Sequence, residues 1–197
     1  MPVNQLAPAP ANQLFPLQTE VQRNPYIDAL VRKATTEYPF IAKHNPAVEV
    51  GVGPGYAETW PVGETGAPDE YGNPTRPKSF PTNKVGVQVF RPNDFTHHAL
   101  AGEIFHVDPY ANKARDKLIK SLSPEQIKML QHQSNDYQAT LDEGRPHGEA
   151  LRNATDAAVR GYVFSQWPEE ANASMGYSAP QRALLESLKN YTKTGKE

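Results

Sequence analysis

The stretch THHALAGEIFHVD, residues 96–108, decides how this sequence folds. At about 100° per residue, one face of an α-helix here carries His98, Gly102, Glu103 and His106. The opposite face carries Leu100, Ile104 and Val107. The segment is therefore predicted to be an amphipathic helix that buries its apolar side and presents its polar side to a cleft or to solvent. Asp94 is its predicted N-cap, and Asp108-Pro109 is its predicted end.

Two segments before this helix alternate valine with smaller or polar residues, which predicts β-strands at 47–52 and 84–90. The connection between them, at about 53–83, is rich in proline and glycine and is predicted to be a long loop. Within it, Tyr56 to Trp60 can add a short strand. The sequence GVGPGY at 51–56 is interpreted as a turn and not as a phosphate loop, since Pro54 removes an amide donor and no helix signal follows.

Helix signals flank the strands on both sides. Asn24-Pro25 is a suitable N-cap and first position for a helix over 25–38. Capping-box sequences at Ser123 and Ser178 predict helices at 124–143 and about 180–191, and an alanine-rich stretch predicts one from 147 to about 166. This order indicates the α+β class, with a small sheet of few strands packed on several helices in one domain, residues 25–197.

The helix with GEIFH, following the strand KVGVQVF, resembles the active-site helix and edge strand of zincin metallopeptidases, whose signature is HExxH. The resemblance implies that Glu103 matches the general base and that His106 matches the second zinc ligand. Gly102 stands where the first zinc-binding histidine should be. A third ligand in that family comes from a later helix, for which the stretch from residue 149 implies Glu149 or Asp156 as counterparts.

His98 does not replace the missing ligand, because it lies about 12 Å from His106 along an unbroken helix. A second metal interpretation takes Glu103 and His106 as the E-x-x-H pair of a di-metal carboxylate site, but no second such pair occurs. The remaining interpretation is structural, with both residues paired to arginine or backbone groups. We expect the Glu103–His106 pair to hold no metal and to be hydrogen-bonded within the fold.

Composition excludes several classes of function. The absence of cysteine excludes thiolate catalysis and cysteine-ligated zinc, so any metal needs histidine and carboxylate ligands. With 20 Lys and Arg against 22 Asp and Glu, no basic surface indicates nucleic acid as a partner. The start of the chain has neither a basic region nor a continuous apolar one, and we expect neither export nor membrane insertion. His44, His132 and His147 are predicted to be isolated surface residues.

Residues 1–24 are predicted to form an extended, proline-rich N-terminal arm. An arm of this composition has little core of its own to bury. We therefore expect it to pack against a neighbouring chain, although wrapping around its own domain is the alternative. The arm favours a protein that functions in an assembly.

The order of elements over about residues 45–166, with the degenerate signature, resembles zincin-like domains of tailed-bacteriophage proteins. The resemblance implies a non-catalytic virion structural or accessory protein, associated with the head, connector or tail. Its partners would be other virion proteins or copies of itself, and it would be assembled in the host cytoplasm, with no cofactor. The alternatives are a zinc-dependent hydrolase using Glu103 with His106, Glu149 or Asp156, and a soluble binding module whose long loop contacts its ligand.

Overall fold

The fold was analysed in a computed structural model, which describes residues 24–53, 55–63, 80–164 and 175–197. The predicted N-terminal arm lies outside these residues except for Asn24. Most of the long loop, Pro54 included, also lies outside them, as does the predicted end of the alanine-rich helix beyond residue 164.

The α+β class is confirmed. The described strands are β1 (Ala47–Val50), β2 (Ala57–Trp60) and β3 (Gly86–Val89). The described helices before residue 122 are α1 (Pro25–Glu37), α2 (Ile41–His44), α3 (His97–Val107) and α4 (Pro109–Ser121). Those after it are α5 (Pro124–Gln133), α6 (Asn135–Asp142), α7 (His147–Phe164) and α8 (Ala179–Thr194). None of the described helices is both long and apolar enough to span a bilayer.

The three strands form one sheet in the order β1-β3-β2. Strand β3 pairs in parallel with β1, where Val48 lies opposite Val87, and antiparallel with β2, where Thr59 lies opposite Val87. The strand KVGVQVF was predicted to lie at a sheet edge, and this is wrong, because β3 has a neighbour on each side. Val85, Val87 and Val89 are all buried, as the alternation in the sequence predicts.

Helix α3 lies at the centre of the core, between the sheet and helices α1, α4 and α7. Leu100 and Ile104 are fully buried, as the amphipathic pattern predicts, whereas Val107 is only partly buried. Phe105 is also buried, although the pattern places it on the polar face. The helix begins at His97, later than predicted, because residues 91–95 form tight turns and the side chain of Thr96 accepts the Ala99 N–H at 3.2 Å as N-cap.

Asp108 ends α3 and also starts α4, a helix that the sequence analysis did not predict. Its Oδ1 atom accepts the Ala111 N–H at 2.7 Å, which caps the new helix, and Pro109 takes the first helical position. Its Oδ2 atom is 2.7 Å from both Nε2 of His44 and the hydroxyl of Tyr191. His44 was predicted to be an isolated surface residue, and this is wrong, because its ring is bound to a buried carboxylate.

The single helix predicted for 124–143 is two helices, α5 and α6. Ser134 causes the break, because its side chain accepts the Tyr137 N–H at 3.3 Å and so caps α6. Gly144 adopts φ +79° after α6, the left-handed conformation that commonly follows the end of a helix and that glycine adopts without strain.

The capping boxes of α5 and α8 are bound to each other through their glutamines. Gln126 accepts the Ser123 N–H at 2.9 Å, and Gln181 accepts the Ser178 N–H at 2.8 Å, as the sequence predicted. The two amides also exchange hydrogen bonds of 3.0 and 3.1 Å, and both side chains are buried. This pair fixes the starts of two helices that are 55 residues apart in sequence.

We expect Gln126→Ala to lower the free energy of unfolding by about 2–3 kcal/mol, because it removes a helix cap and leaves the buried Gln181 amide unsatisfied. Urea denaturation followed by circular dichroism measures the change. Gln133→Ala, on the exposed end of the same helix, is the control and should change stability by no more than about 0.5 kcal/mol. Equal stability of both variants would contradict the assignment.

Candidate functional site

The polar face of α3 presents His106 and Glu103 to the surface between α4, α7 and β2. Nδ1 of His106 lies 2.8 Å from Oδ2 of Asp156, on α7. Oε2 of Glu103 accepts a hydrogen bond of 2.8 Å from the hydroxyl of Thr59, on β2. Both residues are hydrogen-bonded within the fold, as the sequence analysis expected, but their partners are a carboxylate and a hydroxyl and not arginine.

Asp156 is the centre of a buried ion-pair network. Only 1% of its side chain is exposed, and its two oxygens contact the guanidinium groups of Arg115 and Arg160, the latter at 2.8 Å. Arg115 comes from α4, is 4% exposed and also donates to the main-chain oxygen of His106 at 3.1 Å. The network therefore joins α3, α4 and α7, and a carboxylate held by two arginines is ionised.

Burial and the arginines of the network together determine the protonation of His106. Removal of the ring from water in the cleft, followed by the charges of Arg160 and Arg115, lowers the pKa of His106 to about 4. The ring is neutral at pH 7, although 46% of the side chain is still exposed. An ionised carboxylate only accepts hydrogen bonds, so Nδ1 carries the proton that faces Asp156, and Nε2 is the unprotonated nitrogen.

Glu149, the other candidate third ligand, is also bound to an arginine. Its Oε1 atom is 2.6 Å from Nη1 of Arg145, whose Nε in turn lies 2.9 Å from Glu143. The structure thus brings His106 and Asp156 into contact, while it places Glu149 in a separate ion pair. Both carboxylates proposed from the resemblance already have cationic partners.

Gly102 lies under Arg160. A Cβ atom added at position 102 would be 3.9 Å from Cδ of Arg160. A side chain at this helix position would therefore be in van der Waals contact with Arg160. In the zincin pattern, that side chain would be the first zinc ligand.

The residues around His106 do not fit a zinc ion. Of the four implied positions, Gly102 has no ligand atom, and Asp156 and Glu149 neutralise arginines. The guanidinium groups of Arg115 and Arg160 contact the Asp156 carboxylate, so a dication bound by His106 and Asp156 would have to displace them. Zinc sites need at least three protein ligands, and the set here does not supply them.

Two open cavities of about 720 and 460 Å³ border His106. Both are lined by His106, Glu149 and Asn153. The larger extends to Pro61 and Asn112, and the smaller is lined mostly by charged residues. The surface over the network is therefore a polar cleft open to water, unlike the enclosed apolar pockets that bind small organic ligands.

Arg115 and Arg160 define the site but were not predicted from the sequence. Arg160 follows Asp156 at the i,i+4 spacing of a helical ion pair, and this signal was available in the predicted alanine-rich helix. Arg115 lies on α4, and because that helix was not predicted, the position of Arg115 was not predicted either.

Comparisons of this chain with protein-family models, with curated proteins and with solved structures gave no match. The zincin-like resemblance therefore stays an expectation from the sequence.

Proposed function

We propose that this chain is a non-catalytic structural or accessory protein of a tailed-bacteriophage virion, built on a peptidase-like scaffold whose former active-site helix now serves packing. The observation that carries the non-catalytic part is the position of Arg160 and Arg115 around Asp156. These arginines occupy the surroundings that a zinc ion would need.

A buried ion-pair network of this kind suits a scaffold better than a hydrolytic centre. Zinc catalysis requires neutral or anionic ligands that converge on one point and a position left open for water. Here the carboxylates converge on guanidinium groups instead, and Glu103 is bound to Thr59 at 2.8 Å. The polar face of α3 is thereby used to hold three helices and the sheet together.

The virion part of the proposal is supported by the sequence. The degenerate GEIFH signature and the order of elements resemble zincin-like domains of tailed-phage proteins, and the proline-rich segment 1–24 has the composition of an arm that packs on a neighbour. The proposed partners are other virion proteins or copies of this chain, and the proposed location is the virion, with assembly in the host cytoplasm.

Quantitative mass spectrometry of purified particles from the encoding phage tests this proposal. We expect the chain in a fixed, integral copy number per particle. We further expect Glu103→Gln, introduced into the phage genome, to leave particle yield and infectivity unchanged, because a structural hydrogen bond from Thr59 can be accepted by an amide oxygen.

Absence of the chain from purified particles would overturn the virion assignment. Loss of infectivity in Glu103→Gln, with normal folding and with metal at one ion per chain bound through His106, would overturn the non-catalytic assignment and favour the zinc hydrolase. Glu143→Gln is the matched control, because Glu143 is an exposed glutamate near the same cleft.

A further inference from the structure

A second cluster of metal-ligating side chains lies at the opposite end of α3. Glu37 ends α1, and His97 and His98 are the first two residues of α3. One ligand atom from each of the three lies within 4.8 Å of the others. The cluster does not involve Glu103, His106 or Asp156, and it does not rest on the proposed function.

The two histidines approach the two oxygens of one carboxylate. Nε2 of His97 is 2.8 Å from Oε2 of Glu37, and Nδ1 of His98 is 3.8 Å from Oε1 of Glu37. The imidazole rings are in contact, with centroids 3.9 Å apart and planes inclined by 38°. Small side-chain rotations bring three such atoms to the separations found around a tetrahedral ion with bonds of about 2.1 Å.

Buried groups behind the cluster hold it in place. The hydroxyl of Tyr38, a buried residue, is 2.7 Å from Nδ1 of His98, and a metal bound at this nitrogen would replace that contact. The core around α1 and α3 thus fixes the backbone from which all three side chains extend. On the solvent side, 42% of His98 and 36% of Glu37 are exposed, which gives an ion a path of entry.

The geometry assigns Glu37, His97 and His98 as a binding site for one divalent transition-metal ion, with Zn²⁺ as the most suitable probe. Two imidazole nitrogens and one carboxylate oxygen form a ligand set that suits Zn²⁺ and neighbouring first-row ions better than Mg²⁺ or Ca²⁺, which prefer oxygen alone. Three protein ligands leave one coordination position for water.

Lys193 competes with a metal for Glu37. Its Nζ atom is 3.8 Å from Oε1 of Glu37 and 4.2 Å from the centre of the Tyr38 ring. A cation at this distance repels an incoming dication. We expect Lys193→Gln to bind Zn²⁺ severalfold more tightly than the wild type, a gain that a purely structural histidine cluster would not show.

Isothermal titration calorimetry of the full chain, without an affinity tag, with Zn²⁺ tests the assignment. We expect saturable binding of one ion per chain. The double variant His97→Asn with His98→Asn should abolish it, and Glu37→Gln should weaken it at least about tenfold, since even outer-shell changes cost about that much. Circular dichroism verifies that each variant is folded.

Two histidine controls make the result specific. His132→Asn removes an exposed histidine on α5, and His106→Asn removes the histidine of the zincin-like position. Both should bind Zn²⁺ like the wild type.

A wild-type chain that shows no saturable heat up to millimolar Zn²⁺ would overturn the assignment. Binding that persists in the His97 and His98 double variant, or that is lost in His106→Asn, would also overturn it. Should the double variant fail to fold, electron paramagnetic resonance of the wild type with Cu²⁺ decides instead. Splitting from two coordinated nitrogens is expected, and a spectrum without it contradicts the site.

Discussion

Replacing Asp156 by asparagine is expected to lower the free energy of unfolding by about 3–5 kcal/mol, the range for breaking a buried ion pair by removing one partner. The carboxylate is 1% exposed and Arg115 is 4% exposed, so the guanidinium would stay in the core with no countercharge. Burial, followed by the charges of Arg160 and Arg152, already lowers the pKa of Arg115 to about 10. Urea denaturation measures the loss.

Asp116→Asn provides a matched control for this variant. Asp116 forms an ion pair with Arg152 at 3.1 Å, but the two side chains are 42% and 57% exposed. Pairs of this kind contribute about 0–1 kcal/mol. A loss in Asp156→Asn no larger than that in Asp116→Asn would contradict the role given to the network.

A double variant separates the charge from the packing. Arg115→Met together with Asp156→Leu removes the buried arginine and its countercharge together. Because apolar replacements of buried ion pairs are often neutral or stabilising, we expect this variant to recover much of the stability that Asp156→Asn loses. Arg160 is 32% exposed and can turn to solvent. Additive losses would indicate that the arginine and the aspartate act independently.

Replacing Asp108 by alanine should lower the free energy of unfolding by about 3 kcal/mol, the second-largest effect that we expect. The change removes the cap of α4, worth about 0.5–2 kcal/mol, and leaves the groups of His44 and Tyr191 without their acceptor. Both contacts measure 2.7 Å, and Asp108 is buried. Thermal unfolding of the variant beside Asp142→Ala, an exposed aspartate on α6, measures the difference. Equal melting temperatures for Asp108→Ala and Asp142→Ala would contradict this prediction.

The lowered pKa of Asp108 predicts how the free energy of unfolding depends on pH. Burial alone would raise the pKa of Asp108, but the hydrogen bonds from His44, the Ala111 N–H and Tyr191 outweigh it, and the pKa lies below its ordinary value. Its contribution is therefore complete above the unfolded value of about 3.9 and is lost as the pH falls through the lower folded value. Below about pH 4, wild-type stability should decline more steeply than that of Asp108→Asn. Parallel curves would contradict this.

Local signals predicted most of the fold. The capping residues at Asn24, Ser123 and Ser178, together with the valine alternation of β1 and β3, act through neighbours within a few residues and are visible in one sequence. The sequence did not predict the helix break at Ser134, because a serine inside a helical pattern can either continue a helix or cap a new one. It also did not predict α4, because an Asp-Pro pair can end one helix and begin the next.

The candidate site was only partly predictable. The helical wheel placed Glu103 and His106 on one face, and the alanine-rich helix supplied Asp156. The partners that determine their chemistry, Arg115 and Thr59, come from elements 9 and 44 residues away, and no spacing rule brings them together. The zincin pattern predicts metal ligands around His106, but the packing of α4 and α7 places arginines beside Asp156 instead.

The cluster of Glu37, His97 and His98 also could not be predicted from the spacing of residues in the sequence. The sequence pattern indicates His98 only as a substitute for a ligand at Gly102, and its distance from His106 along the helix excludes that role. Their carboxylate partner is 60 residues earlier, at the end of α1. Only the packing of α1 on α3 brings the three side chains together.

Nitrogen-15 NMR of the His106 imidazole tests most directly whether the polar face of α3 is structural. A neutral ring is expected, with its proton on Nδ1 and resonances that stay fixed from neutral pH to about pH 5. These resonances should also stay fixed when one equivalent of Zn²⁺ is added. Protonation of His106 near its ordinary pKa, or a shift of its Nε2 resonance at that first equivalent, would contradict the account.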